Sequence, residues 1–215
     1  MMTLEQVRTA LQHRPRPGLA AQMRMAPSYR WEMLRHMPPP ERVREAGVLI
    51  LLYPCDDALC FPLTRRTERV ENHKGQISLP GGAREPGEPL AETALRETRE
   101  ELGISLDGLE MLGSLTPLYI PPSRFQITPF VAYLPYRPRF HPDPIEVAEV
   151  IPVPLAALFD PTIRRQEVRE WRGQPVRIPF YAIQGHQVWG ATAMVLSELA
   201  AILSPQSSPK KSSTA

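Results

Sequence analysis

The sequence predicts an α/β protein with one main folded domain, and three stretches of the chain support this prediction. Residues 46–53 form a nearly continuous apolar run, which is typical of a central strand that is covered on both faces. Residues 88–102 combine helical periodicity with many glutamates, and the apolar spacing of residues 191–203 predicts a closing amphipathic helix. A length of 215 residues suits one domain with a substantial core.

The N-terminal part of the chain is expected to precede the main domain. Residues 3–12 predict a short amphipathic helix, with Thr3 and Gln6 placed as a capping box. We interpret the Pro-rich stretch that follows as an irregular arm, whose methionines and Trp31 pack either on the domain or on a second subunit of a homodimer. The predicted parts are the helix with its arm, the folded domain and a disordered Ser/Pro/Lys-rich tail, at residues 1–44, 45–203 and 204–215.

The rest of the domain is predicted to consist mainly of strands. A turn at Asp56-Asp57 separates the first two strands, and a stiff Pro121-Pro122 connector separates two later ones. Alternating stretches on both sides of Arg172-Gly173-Gln174 predict a β-hairpin over residues 163–184. The other predicted strands cover residues 59–65, 111–120 and 126–134, with a strand and a short helix at 150–159.

Composition narrows the class of protein. A net charge of +2 with 22% charged residues gives no bias toward nucleic acid. The sequence contains no run near the ~18 apolar residues of a membrane span, and its N-terminus lacks the order of a signal peptide. We therefore expect a soluble, cytoplasmic protein without a nucleic-acid or membrane partner. Cys55 and Cys60 are expected to be buried thiols rather than a disulfide.

A glycine-containing loop leads directly into the acidic helix. Gly81 and Gly82 allow close backbone approach, and Pro89 suits a first helical turn, so the helix is predicted to begin near Glu88. Gly103 follows the last periodic residue and is predicted to end the helix.

Three carboxylates of this helix, those of Glu97, Glu100 and Glu101, fall within about a third of its circumference at ~100° per residue. Like charges at these spacings repel one another, and the helix dipole disfavours anions in the last turn. Stability alone therefore does not explain the cluster. Converging carboxylate oxygens suit Mg²⁺ or Mn²⁺, and the alternative interpretation is a solvated acidic face.

The spacing within the loop and helix is specific. It runs Gly82, five residues, Glu88, seven residues, Arg96-Glu97, and then Glu100-Glu101, Gly103 and Ile104. This arrangement resembles the signature of the Nudix hydrolase family, with one departure at Thr98, where the family usually has a bulky aliphatic residue. The resemblance implies a Nudix-type α/β/α sandwich with a mixed β-sheet between helices. It also implies an enzyme that hydrolyses the diphosphate of a nucleoside diphosphate linked to another group.

Carried over by position, the resemblance implies roles for the polar residues of the signature. Arg96 would hold the carboxylates in place, with Glu88 as its partner. The implied metal-binding groups are Glu97, Glu100, Glu101 and the backbone at Gly82, and the implied catalytic residues of the signature are Arg96, Glu100 and Glu101, to which we add Glu149 from outside it. Metal ions that neutralise diphosphate oxygens and activate a water supply most of the catalysis in such reactions.

The base for the attacking water is assigned less directly. In this family it lies in the signature helix or in a later loop, and Glu146 and Glu149 follow such a loop. Glu149 is predicted to serve as this base or as a further metal ligand, and a surface carboxylate is the alternative.

A second polar block precedes the glycine loop. It contains Arg65, Arg66, His73, Lys74 and Gln76, which we predict to bind substrate, chiefly through its phosphates. A solvated basic loop is the alternative. The block resembles an element of the coenzyme A pyrophosphatase subfamily, which has Leu-x-x-Arg, His-x-Gly-Gln and an apolar-Pro-Gly-Gly run; Leu79 occupies a position there that is more often aromatic. Residues 189–193 add to this resemblance.

The subfamily resemblance implies Mg²⁺- or Mn²⁺-dependent hydrolysis of coenzyme A or acyl-coenzyme A. The products would be 4′-phosphopantetheine, or its acyl form, and adenosine 3′,5′-bisphosphate. One alternative is a pyrophosphatase acting on ADP-ribose or another nucleoside diphosphate derivative. A second is a Nudix domain that binds a nucleotide without catalysis, although that class usually has a damaged signature.

Overall fold

The computed structural model describes residues 2–35, 42–68 and 75–204, and its centre is a mixed β-sheet between helices. The helices are α1 (Leu4–His13), α2 (Leu19–Gln22), α3 (Arg30–Leu34), α4 (Leu90–Leu102) and α5 (Gly190–Leu203). The strands are β1 (Arg44–Cys55), β2 (Ala58–Arg66), β3 (Ile77–Ser78), β4 (Gly81–Ala83), β5 (Glu110–Ser114), β6 (Leu118–Ile120), β7 (Phe125–Tyr133), β8 (Val147–Pro154), β9 (Arg164–Trp171), β10 (Gln174–Ile183) and β11 (His186–Trp189). Short 3₁₀ helices cover Met23–Met25, Leu155–Phe159 and Pro161–Ile163.

Two sheets form within the described residues. The larger has the order β3-β2-β1-β7-β5, with β4 paired to β1, β6 to β7 and β8 to β2. Only the pairing of β1 with β7 is parallel among these described pairs, so the sheet is mixed. The smaller sheet has the order β11-β10-β9 and is antiparallel.

Strand β1 separates two hydrophobic cores because its side chains alternate between the faces of the sheet. Leu49 and Leu51 pack with Ala94 and Leu102 of α4 on one face. Ile50 and Leu52 pack in the larger core, which contains residues of α1 and α5. These central residues of β1 are fully buried, which confirms the predicted strand covered on both faces and the α/β/α sandwich.

The N-terminal segment packs on the domain. Helix α1 has the predicted capping box, in which Thr3 accepts from the Gln6 backbone and the Gln6 side chain accepts from the Thr3 backbone. The stretch predicted to be irregular contains α2 and α3, and Met25 is buried in the core with α5. Trp31 remains 58% exposed. The predicted tail, apart from Ser204, lies outside the described residues.

Three element predictions were wrong in part. Helix α4 begins at Leu90 rather than near Glu88, because Pro89 is still extended. The predicted strand 111–120 is divided into β5 and β6, since the backbone N–H of Thr116 donates to the Glu198 carboxylate. Helix α5 is buried on almost every side rather than amphipathic, because the sheet covers one face and the N-terminal segment another.

The hairpin prediction is confirmed by β9 and β10, whereas β11 was not predicted. Cys55 and Cys60 are free thiols, of which Cys60 is buried and Cys55 partly exposed. In the described part of the chain, no helix has the combination of length and apolar character needed to cross a membrane.

Candidate active site

The site is built where β4 and α4 meet. Strand β4 pairs with β1, so the backbone of Gly82 is fixed at the edge of the sheet, below the side chains of α4. A Cβ atom on Gly82 would lie 2.3 Å from the Glu97 carboxyl carbon, so a larger residue would displace the Glu97 carboxylate. Gly103 ends α4 with φ 60°, and a Cβ there would lie 2.0 Å from the carbonyl oxygen of His141. Both glycines therefore set the position of the helix against its neighbours.

Arg96 connects the loop to the helix. Its Nε donates to Glu88 Oε1 at 2.9 Å and its Nη2 donates to the carbonyl of Ala83 at 3.2 Å. Its Nη1 donates to Glu97 Oε1 at 2.8 Å and to Glu100 Oε2 at 3.2 Å. The guanidinium thus orients two of the three helix carboxylates and neutralises part of their repulsion.

Glu88 is the anchor for this guanidinium. Its Oε2 also accepts from Thr93 Oγ1 at 2.7 Å and from the backbone N–H of Glu85 at 3.2 Å. The hydrogen bonds from Arg96 and then from Thr93 lower the pKa of Glu88 to about 2. Glu88 is therefore ionised throughout the physiological range and holds Arg96 in place.

Glu101 is the most deeply buried carboxylate of the group, with 4% of its surface exposed. Its Oε2 has no hydrogen-bond partner, and its Oε1 lies 3.7 Å from Nη1 of Arg66. Burial raises the pKa of Glu101 to about 8, although Arg66 and the backbone N–H of Gly81 oppose that shift. A buried carboxylate oxygen without a partner is costly unless a cation or a donor meets it.

The carboxylates suit a divalent cation, although they do not form a closed ligand set. Within residues 2–35, 42–68 and 75–204, no three Asp, Glu, His or Cys side chains are grouped as ready metal ligands. The reason is that Arg96 holds Glu97 and Glu100, and the Glu100 side chain is 61% exposed. The unpartnered Glu101 oxygen and the half-buried Glu97 carboxylate against the Gly82 backbone nevertheless provide hard oxygen donors of the kind that Mg²⁺ and Mn²⁺ take. The assignment of Glu97, Glu100, Glu101 and Gly82 as metal-binding groups stays a prediction.

The two later carboxylates differ in position. Glu149 lies opposite Arg65 in the β2–β8 pairing, and its Oε2 accepts from Arg65 Nε at 3.0 Å and lies 3.6 Å from His186 Nε2. Burial is the main cause that raises the pKa values of Glu97 and Glu101, and the charge of Glu146 adds to both shifts. The turn before Glu146 is tied to α4, since the backbone N–H of Asp143 donates to the carbonyl of Glu101. The structure therefore ties the turn before Glu146 to α4, whereas Glu149 is paired with Arg65 on the neighbouring strand.

A cavity of about 890 Å³ opens beside β4. Two residues of the predicted substrate-binding block, Arg66 and Gln76, line it, whereas Arg65 is paired with Glu149. His73 and Lys74 lie outside the described residues. The stretch 189–193, quoted for the subfamily resemblance, also contributes to the lining, through Trp189, Gly190, Ala191 and Thr192.

The N-terminal arm contributes to the same cavity, which sequence reasoning missed. Tyr29, Arg30 and Met33 line it, together with Arg44 at the start of β1. Tyr29 stacks on Trp171 with ring centroids 4.6 Å apart, so the arm is also fixed to the smaller sheet. The aromatic and methionine residues of the arm were the available sequence signal. They indicated that the arm packs, but did not indicate the surface on which it packs.

Comparisons with known proteins agree with this geometry. The model of the NUDIX domain matches residues 43–173. A Nudix hydrolase named NudL from Photorhabdus laumondii is 36% identical over 168 residues, which cover 76% of this chain and 89% of that protein. The mitochondrial coenzyme A diphosphatase NUDT8 of Homo sapiens is 34% identical over 173 residues, covering 76% of this chain and 72% of that protein. A crystal structure of RenU, a Nudix hydrolase from M. smegmatis, aligns with a TM-score of 0.46 at 22% identity, over 54% of this chain and 74% of that one. With the domain match over more than half of its length and relatives of this similarity, the chain belongs to the Nudix hydrolase family and is a Nudix pyrophosphohydrolase.

Proposed function

We propose that this enzyme hydrolyses the diphosphate of coenzyme A or an acyl-coenzyme A. The products are adenosine 3′,5′-bisphosphate and 4′-phosphopantetheine or its acyl form. The observation that carries the proposal is the composition of the cavity beside β4. It combines three guanidinium groups, from Arg30, Arg44 and Arg66, with an apolar lining that includes Ile77, Phe125 and Trp189.

This lining matches the chemistry of coenzyme A. The substrate carries a diphosphate and a separate ribose phosphate, which need cations, and a long neutral arm, which needs an apolar groove. Similarity to a protein named as a coenzyme A diphosphatase supports the same choice. ADP-ribose has a diphosphate but no further phosphate, so it would leave part of the positive charge in the cavity unmatched.

The signature residues would act around the diphosphate. Arg96, anchored by Glu88, orients Glu97 and Glu100, while Glu101 and the Gly82 backbone complete the oxygen donors. Glu97 and Glu101 would hold Mg²⁺ or Mn²⁺. When bound, the cation neutralises charge on the diphosphate oxygens and lowers the pKa of a bound water. Arg66, beside Glu101, adds positive charge on the cavity side.

We place the proton-accepting role for the attacking water with Glu146 rather than Glu149. Glu149 is held by Arg65, and its exposed carboxylate lies on the neighbouring strand. The turn before Glu146 is bonded to α4 through Asp143 and Glu101, and the Glu146 charge adds to the upward pKa shifts that burial causes in Glu97 and Glu101. Glu146→Gln is therefore expected to lower kcat by about 100-fold, the usual contribution of a general base, whereas Glu149→Gln should stay near the wild-type value.

The test is chromatographic product analysis with purified enzyme and Mg²⁺. Coenzyme A, ADP-ribose and NADH are incubated separately, and each yields distinguishable products. Adenosine 3′,5′-bisphosphate from coenzyme A, with little AMP from the other two, supports the proposal. AMP from ADP-ribose or NADH with coenzyme A intact would contradict the substrate, and no product from any of the three would favour the binding-only alternative.

A further inference from the structure

We propose that Arg30, on helix α3 of the N-terminal arm, recognises a phosphate of the substrate that is not cleaved. In coenzyme A this group is the ribose 3′-phosphate, so the inference rests on the proposed function. It assigns a specificity-determining residue to a part of the chain that lies outside the family signature.

The first observation is a buried cation without a counter-charge. Arg30 has 6% of its surface exposed. One of its terminal nitrogens donates to the carbonyl oxygen of Tyr119, and its Nε has no hydrogen-bond partner. In the part of the chain that the structure describes, no carboxylate pairs with this guanidinium. Burial of a charged group without a partner is unfavourable, so the arrangement favours an anion that arrives from the cavity.

The second observation is where this guanidinium lies. Arg30 lines the same cavity as Gly81 and Gly82 of strand β4, which precedes the helix with the clustered carboxylates. The chain just before α3 is fixed to strand β10. Before the helix, Ser28 exchanges two hydrogen bonds with the backbone of Arg177, its N–H donating at 2.9 Å and its Oγ accepting at 3.1 Å. A buried, fixed guanidinium loses little further freedom on binding a ligand.

The third observation is a second uncommitted guanidinium in the cavity lining. Arg44 lies with its guanidinium carbon 4.2 Å from the centre of the Phe125 ring, and it makes no ion pair within the described ranges. Arg66, by contrast, lies beside the Glu101 carboxylate. Of the three arginines that line the cavity, one lies beside a carboxylate and two, Arg30 and Arg44, make no ion pair in the described residues. A doubly charged phosphate monoester accepts several charge-assisted hydrogen bonds and suits guanidinium groups of this kind.

These observations divide the anionic groups of the substrate between two places. The diphosphate must reach the carboxylates of α4, where Arg66 is the available cavity cation. We therefore assign Arg30 to a phosphate group of the substrate that is not part of the cleaved diphosphate. Free coenzyme A carries one such group, whereas dephospho-coenzyme A, which has the same diphosphate and the same pantetheine arm, carries none.

The test compares these two substrates in Arg30→Gln, Arg30→Lys and a control. Arg35→Gln is a suitable control because Arg35 is exposed on the same arm and does not line the cavity. Loss of a charged hydrogen-bonding group should lower kcat/KM for coenzyme A by about 10- to 100-fold, mainly through KM. The value for dephospho-coenzyme A should change by less than about twofold, and adenosine 3′,5′-bisphosphate should lose potency as a product inhibitor while AMP does not.

Each outcome separates this inference from the proposed function. If Arg30→Gln lost the same factor in kcat/KM on both substrates, the role of Arg30 would be overturned. Turnover of coenzyme A by the wild type would still support the proposed function. If the wild-type enzyme does not cleave coenzyme A, the proposed function fails first and the inference falls with it. If Arg30→Gln does not fold, Arg30→Lys keeps the positive charge and decides the question: a smaller loss confined to coenzyme A supports the inference, and equal losses contradict it.

Discussion

At the scale of single residues, Arg96 determines how the glycine loop and the acidic helix face each other. One guanidinium bonds to the loop through Glu88 and the Ala83 carbonyl, and to the helix through Glu97 and Glu100. A lysine could supply the charge but not the fork of donors that makes these contacts together.

Arg96→Lys is therefore expected to lower kcat/KM by about 100-fold, the effect of a small misplacement of reacting groups. Steady-state kinetics with coenzyme A measures this loss. Arg99→Lys, an exposed change on the same helix, should remain within about twofold of wild type. Similar activity in the two variants would contradict the positioning role of Arg96.

The Glu88 carboxylate provides a pH-dependent test of the same contact. Its pKa is about 2 in the folded protein against an ordinary value of 4.5. A lowered folded-state pKa stabilises the fold above the ordinary value, and this contribution is lost as pH falls from about 4.5 toward 2. Glu88→Gln should thus unfold at lower denaturant than wild type at pH 7, with a smaller difference at pH 3. If the stability difference between wild type and Glu88→Gln were the same at pH 7 and pH 3, this contribution of Glu88 would be contradicted. Glu92→Gln, an exposed change on α4, is the control.

The site could be predicted from sequence where its residues are local. The spacing from Gly82 to Ile104 places Arg96 and the carboxylates on one loop and one helix, so a short pattern suffices. The role of Glu149 stays a prediction, and sequence could not show its pairing with Arg65, since the register of β8 against β2 is a long-range property. Arg30 could not be identified for a related reason: an absent counter-charge is visible only when the surrounding chain is in place.

At the scale of elements, a buried hydrogen-bond network joins the N-terminal arm, the sheet and helix α5. Glu198 is fully buried, and its carboxylate accepts from the backbone N–H and Oγ1 of Thr116 and from the side chain of Gln22. The contact between Glu198 and Thr116 interrupts the strand between β5 and β6. Capping boxes and hairpin turns are local and were predictable, whereas this break depends on a residue 82 positions away.

Glu198→Ala should lower the free energy of unfolding by about 3 kcal/mol, because one buried and two partly buried donors lose this acceptor. Chemical denaturation measures the change. Glu92→Ala removes an exposed glutamate from α4 and should cost less than about 0.5 kcal/mol. If the two variants proved equally stable, the network would not contribute as described.

At the scale of the whole molecule, the arm, the larger sheet and the start of α5 line the cavity together, so residues before β1 contribute to the cavity as well as to the core. The unpartnered oxygen of Glu101 then links ligand binding to global stability. A cation that binds the folded state alone stabilises it by about 2.7 kcal/mol at 100 times its Kd.

Mg²⁺ or Mn²⁺ should therefore raise the Tm of the wild-type protein in a concentration-dependent way, without any substrate present. The same titration of Glu101→Gln should show little shift, whereas Glu149→Gln should respond like the wild type. A shift in Glu101→Gln that matches the wild-type shift would contradict the assignment of Glu101 as a metal ligand.

The most direct test of the account is the rate at which adenosine 3′,5′-bisphosphate forms from coenzyme A at increasing Mg²⁺, in the wild type, Glu97→Gln and Glu101→Gln. Circular dichroism spectra of the three proteins establish that each is folded. We expect Mg²⁺-dependent turnover by the wild type and loss of turnover in both folded variants. Near-normal turnover by both variants at saturating Mg²⁺ would contradict the proposed metal site, and absence of this product from the wild type would contradict the proposed substrate.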